Sequence, residues 1–356
     1  MGFGMIVACY SAFYEYVSKA MVRFLGNSRG MALILTILII SLVVSMTLEL
    51  NSSMRDNAYG AANLRDSIRL DQVAKSGLSY ALAVLRADAI LDAKDKERGD
   101  SLLETWADHE ALTEEAAALF TDSRLDLRVL DHSGRIQINN LVNDKGEYSK
   151  VQIELLTRFL ESPEFDLDPD QAKAIVAAIV DWIDKDDTEY TYDTLLGAEK
   201  AYYATLDPPY PCRDGPIEFL EELLLVKGMT KELFYGTGNK PGISGYLSTY
   251  GDGKVNINTA DRLVLKALSA DMRDWMVDNM IEYREDSDNN LSQIDLNARL
   301  GGGVDSVALD AEALLTTKSS FFEVRAVGLQ EVMAKQVTAM VERTEDGVNV
   351  LWKQIE

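Results

Sequence analysis

The sequence predicts an α+β fold: one long N-terminal helix, a small antiparallel sheet, and a large all-helical domain inserted into that sheet. Three observations carry this prediction. Met31 to Leu48 is a run of eighteen residues without a charge, and no proline occurs before Pro163, so one helix can start in that run and continue. Segments that alternate apolar and polar residues flank a long middle stretch, and that stretch, about Glu147 to Lys318, reads as helical.

Eighteen helical residues rise about 27 Å, close to the hydrocarbon thickness of a bilayer, and a buried core helix of that length would show a polar face. Met31 to Leu48 is therefore read as membrane-spanning. Lys19, Arg23 and Arg29 precede it against a single acid, Glu15, which keeps the N-terminus cytoplasmic and exports the rest. A cleaved secretory signal is the competing reading, but no small-x-small site closes the run. Beyond it, Leu64, Ile68, Ala74, Leu78, Ala81 and Leu85 recur at helical intervals, continuing the helix to about Ile90, with Gly60 and Gly77 as bends or close-packing points. Such a helix is either an anchor stalk or a member of a bundle whose outer stripe holds a globular head.

Arg124 to Asp131 and Gly134 to Asn139 alternate with period two around His132-Ser133-Gly134 and read as a hairpin. Phe321 to Leu329, Val332 to Glu342 and Val348 to Gln354 supply three closing strands, the last two joined through Glu345-Asp346-Gly347. Between them, Asp168-Pro169-Asp170 opens a helix with an N-cap, a first-turn proline and a dipole-complementing acid, and Ile175, Ile179 and Ile183 mark its buried face. GRIQINN (Gly134 to Asn140) and GKVNINT (Gly253 to Thr259) echo each other as a glycine turn, a short strand and a capping Asn or Thr.

Composition narrows the function. A formal net charge of -23, with 47% hydrophobic and 26% charged residues, describes a folded acidic protein. Nucleic acid and anionic membrane surfaces need clustered Lys and Arg, so basic partners and divalent cations fit better. The segment from Gly253 with Ile281 to Arg284 has a helix-hairpin-helix look, but Ser269 to Met272 lacks hairpin glycines, and Asp271 and Asp274 would face phosphate. No nucleic-acid partner is expected. Cys9 and Cys212 fall on opposite sides of the apolar run and cannot pair, and two histidines, His109 and His132, leave little for a zinc site or a Ser/His/Asp centre. The densest acid run, VDWIDKDDTEYTYD, holds Asp181, Asp184, Asp186, Asp187, Glu189 and Asp193, with Glu199 following. Hard oxygen ligands gathered at a helix end suit Ca²⁺, although from Asp184 the spacing is not that of an EF-hand, and a solvated acidic loop is the plain alternative. Asp286-Ser-Asp288-Asn-Asn290 has an EF-hand opening without its glycine or final glutamate, and is read as a polar turn. Tyr202, Tyr203 and Tyr210 read as packing for the Pro208-Pro209 loop. Paired acids also serve glycosidases, but nothing in the sequence marks one of them as buried and protonated.

The basic leader ending in Gly30, then Met31-Ala32-Leu33-Ile34-Leu35, resembles the class III leader of type IV pilins and type II secretion pseudopilins. Met21 to Gly30 alone would make a leader of conventional length, pointing to Met21 as the true start. The resemblance implies cleavage after Gly30 by prepilin peptidase and methylation of Met31. Most members carry Glu at the fifth mature position, where this chain has Leu35. The minor pseudopilin K family (general secretion pathway protein K) lacks that acid, as suits a tip subunit with no neighbour above it, since an unpaired carboxylate in the apolar segment would be costly. From Arg29 onward the chain resembles that family, most sharply in GRIQINNL, VDWIDKDD, GAEKAYY, GKVNINTA and FFEVRAVG.

The resemblance to the K family implies a fold made of a pilin-like long N-terminal helix plus a small antiparallel sheet, interrupted by a large all-helical inserted domain. It makes residues 1–30 a cytoplasmic leader, 31–48 the transmembrane part and 49–95 the extracytoplasmic part of the helix; 96–146 and 319–356 then build the sheet domain around an insertion at 147–318. It implies a non-enzymatic minor pseudopilin, in the inner membrane by a single pass with its bulk in the periplasm. Such a subunit caps the type II secretion pseudopilus, primes its assembly for export of folded proteins across the outer membrane, and packs beside I- and J-type minor pseudopilins through helix and head. The resemblance also implies calcium held by Asp184, Asp186, Asp187 and Glu199. The competing functional reading is a single-pass envelope anchor carrying an adhesion or receptor domain.

Overall fold

The computed structural model describes residues 28–94, 98–118, 120, 124–286, 314–344 and 347–356. Residues 1–27 of the predicted leader, with Cys9, Lys19 and Arg23, the turn at Glu345-Asp346, and Asp288 and Asn290 of the second acid run lie outside the described residues. Helix α1 spans Ser28–Lys94, four residues past the predicted end at Ile90. The chain divides into two units, residues 1–68 and 69–356. In the first, every side chain from Gly30 to Ala61 is exposed, Met31 and Leu35 included, and the helix is long and apolar enough to cross a membrane.

In the second unit, α1 contributes Leu70, Val73, Ala74, Leu78, Ala81 and Leu85, all buried, at intervals of three and four. The predicted stripe is thus covered from Leu70 onward, whereas Leu64 and Ile68 are exposed. Helix α2, His109–Ala117, is capped by Asp108, whose carboxylate accepts from Ala111 N–H at 3.0 Å. Strand β1, Arg124–Asp131, leads into the insertion, whose first long helices are α3 (Lys150–Leu160) and α4 (Pro169–Ile183). Strands β2 (Phe321–Gln330), β3 (Met333–Thr344) and β4 (Gly347–Ile355) close the chain. The four long strands form one antiparallel sheet in the order β1-β2-β3-β4.

Period-two alternation decides which face packs. Leu127 lies opposite Ala326 and Val129 opposite Val324 in the register of β1 and β2, and all four are buried with Val337, Ala339 and Val341 of β3 beneath α1. Two glycines allow the helix to approach closely. A side chain at Gly77 would come 2.8 Å from Leu125 Cδ1, and one at Gly328 would come 2.7 Å from the Leu70 carbonyl. The same face ends in an ionic cluster: Arg343 of β3, 5% exposed, pairs with Asp88 and Asp100, while Arg98 reaches Asp88, Asp92 and Glu104.

The expected hairpin after β1 is not formed. β1 pairs with β2 instead, and Ile136–Gln137 pairs in parallel with Leu247–Ser248. Two local bonds explain the difference. Asp131 accepts from the N–H groups of Ser133 and Gly134, at 2.8 and 3.0 Å, which turns the chain away from the sheet. The outer edge of β1 is meanwhile occupied by α2, because the Thr113 hydroxyl accepts from Leu127 N–H at 3.1 Å and donates to its carbonyl at 3.3 Å.

The insertion has its own core, running from Ile136 to Leu314 and including Ile153, Phe159, Ile175, Ile179, Tyr203 and Phe234. It begins eleven residues before Glu147, so Ile136 to Gly146 belong with the insertion rather than with the sheet. Among the described residues helices dominate it, joined by loops that carry four two-residue strand pairs. The α4 start is as read from sequence: Asp168 and Gln171 form a capping box with Pro169 in the first turn. In each of the two echoed segments an asparagine acts as a staple. Asn139 binds the carbonyls of Ile217 and Thr249, and Asn256 donates to the Asp100 carbonyl and the Ser319 hydroxyl. With Thr259 and Ser319 both donating to Asp131, these bonds tie the insertion to the sheet at its two points of entry.

Candidate metal centre

Helix α4 carries its acids inward at its C-terminal end. Asp181 and Asp184 are three residues apart, on one side of the helix, and both are buried, at 0% and 2% exposure. The chain then loops out through Lys185 to Glu189 and returns, so that Gly197-Ala198-Glu199 lies against the same spot. Glu199 is 3% exposed, and ligand atoms of Asp181, Asp184 and Glu199 all lie within 4.8 Å of one another.

Each carboxylate has one anchored and one free oxygen. Tyr190 N–H donates to Asp181 Oδ1 at 2.7 Å, Tyr148 O–H to Asp184 Oδ2 at 3.0 Å, and Lys200 N–H to Glu199 Oε2 at 3.3 Å. The other oxygens, Asp181 Oδ2, Asp184 Oδ1 and Glu199 Oε1, are buried with no partner. Asp214 repeats the pattern, with Oδ2 2.7 Å from Lys200 Nζ and Oδ1 buried and unpartnered. Buried acceptors of this kind are nearly always satisfied, so four in one place mark a cation-binding site more than a packing fault. Gly197 is part of the cradle: a methyl there would overlap Asp181 Oδ2 and come 2.7 Å from the Ala177 carbonyl.

Burial, reinforced by the neighbouring acids, pushes the carboxyls of Asp181 and Glu199 up to about 7 and that of Asp184 up to about 6. Behind them stands an aromatic wall in which Trp182 meets Tyr203 edge-on at 5.0 Å and Tyr203 meets Tyr210 at 5.4 Å. Tyr202, Tyr203 and Tyr210 are thus packing groups, as the sequence suggests. The donor set fits a hard cation: three inward carboxylate oxygens held by outer-shell hydrogen bonds, in a site that excludes water from one side.

Of the four ligands expected from sequence, the structure brings Asp184 and Glu199 together and leaves the other two at the surface. Asp186 accepts from Thr188 N–H at 2.8 Å, and Asp187, 71% exposed at its side chain, accepts from Lys200 Nζ at 2.6 Å. Asp181 and Asp214 take their places in the cluster. The i, i+3 spacing of Asp181 and Asp184 on an otherwise apolar helix end is the signal that finds the first; Asp214, in an irregular loop, has none. Gly30 and Met31 lie in the first turns of α1.

Residues 134–235, which contain all four clustered acids, match the family model of type II secretion system protein K. Over this segment the chain is similar to protein K. The chain is 25% identical over 214 residues to the type II secretion system protein K of Klebsiella pneumoniae and 26% identical over 216 residues to that of Aeromonas hydrophila. Each match covers 58% of this chain and 60% of the relative, so the chain spans about three fifths of the curated relatives' length. Among solved structures, a chain in the crystal structure of the GspK-GspI-GspJ complex from enterotoxigenic Escherichia coli matches with a TM-score of 0.61 and 18% identity, over 83% of this chain and 99% of that one. At that identity the likeness establishes a shared fold.

Proposed function

We propose that the chain is a non-enzymatic minor pseudopilin that caps the tip of a type II secretion pseudopilus and primes its assembly. The observation that carries this reading is the pairing of a protein K fold with a long helix whose apolar N-terminal run is wholly uncovered. Lipid covers such a run while the chain resides in the inner membrane, and the helices of sister subunits cover it in the filament. The solved relative is in complex with GspI and GspJ, which supports I- and J-type minor pseudopilins as the partners. Within this reading the insertion, set between β1 and β2, is what confines the subunit to the end of the shaft.

Within this reading, Asp181, Asp184 and Glu199 hold a calcium ion, with Asp214 beside them. The ion neutralises acids that repel one another and ties the end of α4 to the Gly197–Glu199 segment, so it stabilises the folded insertion by binding it alone. Its role is structural. Processing separates the proposal from a generic envelope anchor: mass spectrometry of the mature chain should find an N-methylated Met31 at its start. A retained leader would favour the anchor.

A further inference from the structure

The outer end of α1 is held to the head by charges that do not balance. Asp88 and Asp92 project from its last two turns, one turn apart, where the negative end of the helix dipole already disfavours a carboxylate. The segment after α1 adds Asp100 and Glu104. Among the described residues these four carboxylates meet three cations: Arg98 of the same segment, Lys318 on the chain leaving the insertion, and Arg343 of β3. The acids are largely cut off from water, with side-chain exposures from 0% at Asp100 to 13% at Asp92.

Every cation in the cluster is already engaged. Arg98 lies 2.5 Å from Glu104 Oε1 and 3.0 Å from Asp88 Oδ1, Arg343 pairs with Asp88 and Asp100, and Lys318 donates to the Arg98 carbonyl. Asp92 has only the longer contacts, 3.2 Å to Arg98, 3.5 Å to Arg343 and 3.8 Å to Lys318. Behind Asp100 stands another acid, Asp131, with Ser319 between them: its N–H donates to Asp100 at 2.6 Å and its hydroxyl to Asp131 at 2.8 Å. A cavity of about 680 Å³ opens beside Asp92, Lys318 and Arg343, and its lining adds Asp252 and Glu342 but no further base among the described residues.

A buried network with matched charges would be a plain staple, equally firm across the ordinary pH range. Here one carboxylate is in excess, and the cavity lets water and protons reach it. We propose that this cluster is an acid-set clasp: protons taken up at Asp92 and Glu104 remove the excess charge and fasten the outer end of α1 and residues 98–104 to β3, and their loss loosens that hold. Burial, reinforced by the neighbouring acids, pushes the Asp92 carboxyl up to about 6 and that of Glu104 up to about 7. Both folded values lie above the ordinary ones, so the added stability is full below the ordinary carboxylate range and is lost as pH rises through about 6 to 7. The clasp depends neither on calcium nor on the secretion reading.

The carboxylate cage at the end of α4 titrates over the same range, so the test reads the clasp locally and by difference. Trp106, 1% exposed, donates from Nε1 to Glu104 Oε2 at 2.7 Å, and its indole therefore reports that carboxyl. The full chain in detergent, labelled with fluorotryptophan, is followed by fluorine NMR across the acid-to-neutral range; the Trp106 resonance is the one missing from Trp106→Phe. It should titrate with a midpoint near 7, stay flat in Glu104→Gln, and move up by about one pH unit in Arg98→Met, which loses a cation. The amide of Glu104→Gln keeps an acceptor for Trp106 without the charge, so its melting temperature should gain about 3 °C or more on the parent's between about pH 5 and about pH 8. Asp92→Asn should gain in the same direction, and serves if Glu104→Gln does not melt cooperatively. A Trp106 resonance that does not respond to pH in the folded parent would overturn the clasp. So would a midpoint unmoved in Arg98→Met, or variants whose melting temperatures keep a constant offset from the parent's at every pH.

Discussion

Replacing Asp181 by Asn separates the calcium cage from the fold that surrounds it. The amide keeps an oxygen to accept from Tyr190 N–H, as Asp181 Oδ1 does at 2.7 Å. It places an NH₂ group where the unpartnered Oδ2 stood, in the cluster it forms with Asp184 and Glu199. Without calcium, the variant loses a charge from a crowded acidic site and gains a donor among unpartnered acceptors, so it should melt above the parent. With calcium, the order should reverse. At a calcium concentration 100 times its dissociation constant, the parent gains about 2.7 kcal/mol, or roughly 5–10 °C for a domain of this size. Loss of a charged ligand should weaken binding by at least the 10–100-fold typical of disturbing a metal's outer shell, and at 100-fold the same calcium yields only about 0.4 kcal/mol.

The pH dependence follows from the raised carboxyls. A carboxyl whose folded pKa lies above its ordinary value contributes stability that is present below that ordinary value and is lost as pH rises through the folded pKa. For Asp181, Asp184 and Glu199 that loss runs from about 4 to about 7. Calcium replaces the protons, so its effect should be large near neutral pH and small at about pH 5. Differential scanning fluorimetry with calcium or chelator, at both pH values, measures all of this. A full calcium shift in Asp181→Asn, or an ion-free variant no more stable than the parent, would refute the reasoning.

Other perturbations test the scaffold. Gly77→Val pushes two methyls into Leu125 and Ala326, 2.8 and 3.1 Å from the new Cβ, and should cost about 1–3 kcal/mol in urea unfolding; no loss would mean that α1 does not pack on the sheet this closely. Glu323 is opposed by burial, but hydrogen bonds from His132 and Arg325 outweigh it and hold the carboxyl down at about 2. Its stabilisation is therefore complete above the ordinary carboxylate range and lost as pH falls from about 4.5 towards 2, so the parent's advantage over Glu323→Gln should shrink across that window. An advantage constant with pH would show that the ionised carboxylate is not what matters.

The frame was legible in the sequence because it is built on strict periods. The uncharged run, the stripe from Ala74 to Leu85 and the three closing strands each repeat every 3.6 or every 2 residues, and all lie where those periods put them. The second strand of the expected hairpin failed for a physical reason: alternation identifies an extended segment but not its partner, and Ile136–Gln137 finds its partner more than a hundred residues away. The site shows the same divide. Asp184 and Glu199 stand in motifs that resemble a family pattern, whereas Asp186 and Asp187, in the same motif, turn outward once α4 ends at Ile183. Asp214 reaches the cage only because a loop closes over it, which no local pattern encodes.

Assembly with sister subunits is the claim on which the functional account rests. Native mass spectrometry of the full chain, co-expressed with the I- and J-type minor pseudopilins of its own secretion system and extracted in detergent, measures it directly. The account predicts a complex holding one copy of each subunit. A chain that is always recovered alone, or only with itself, while I and J pair without it, would contradict the account.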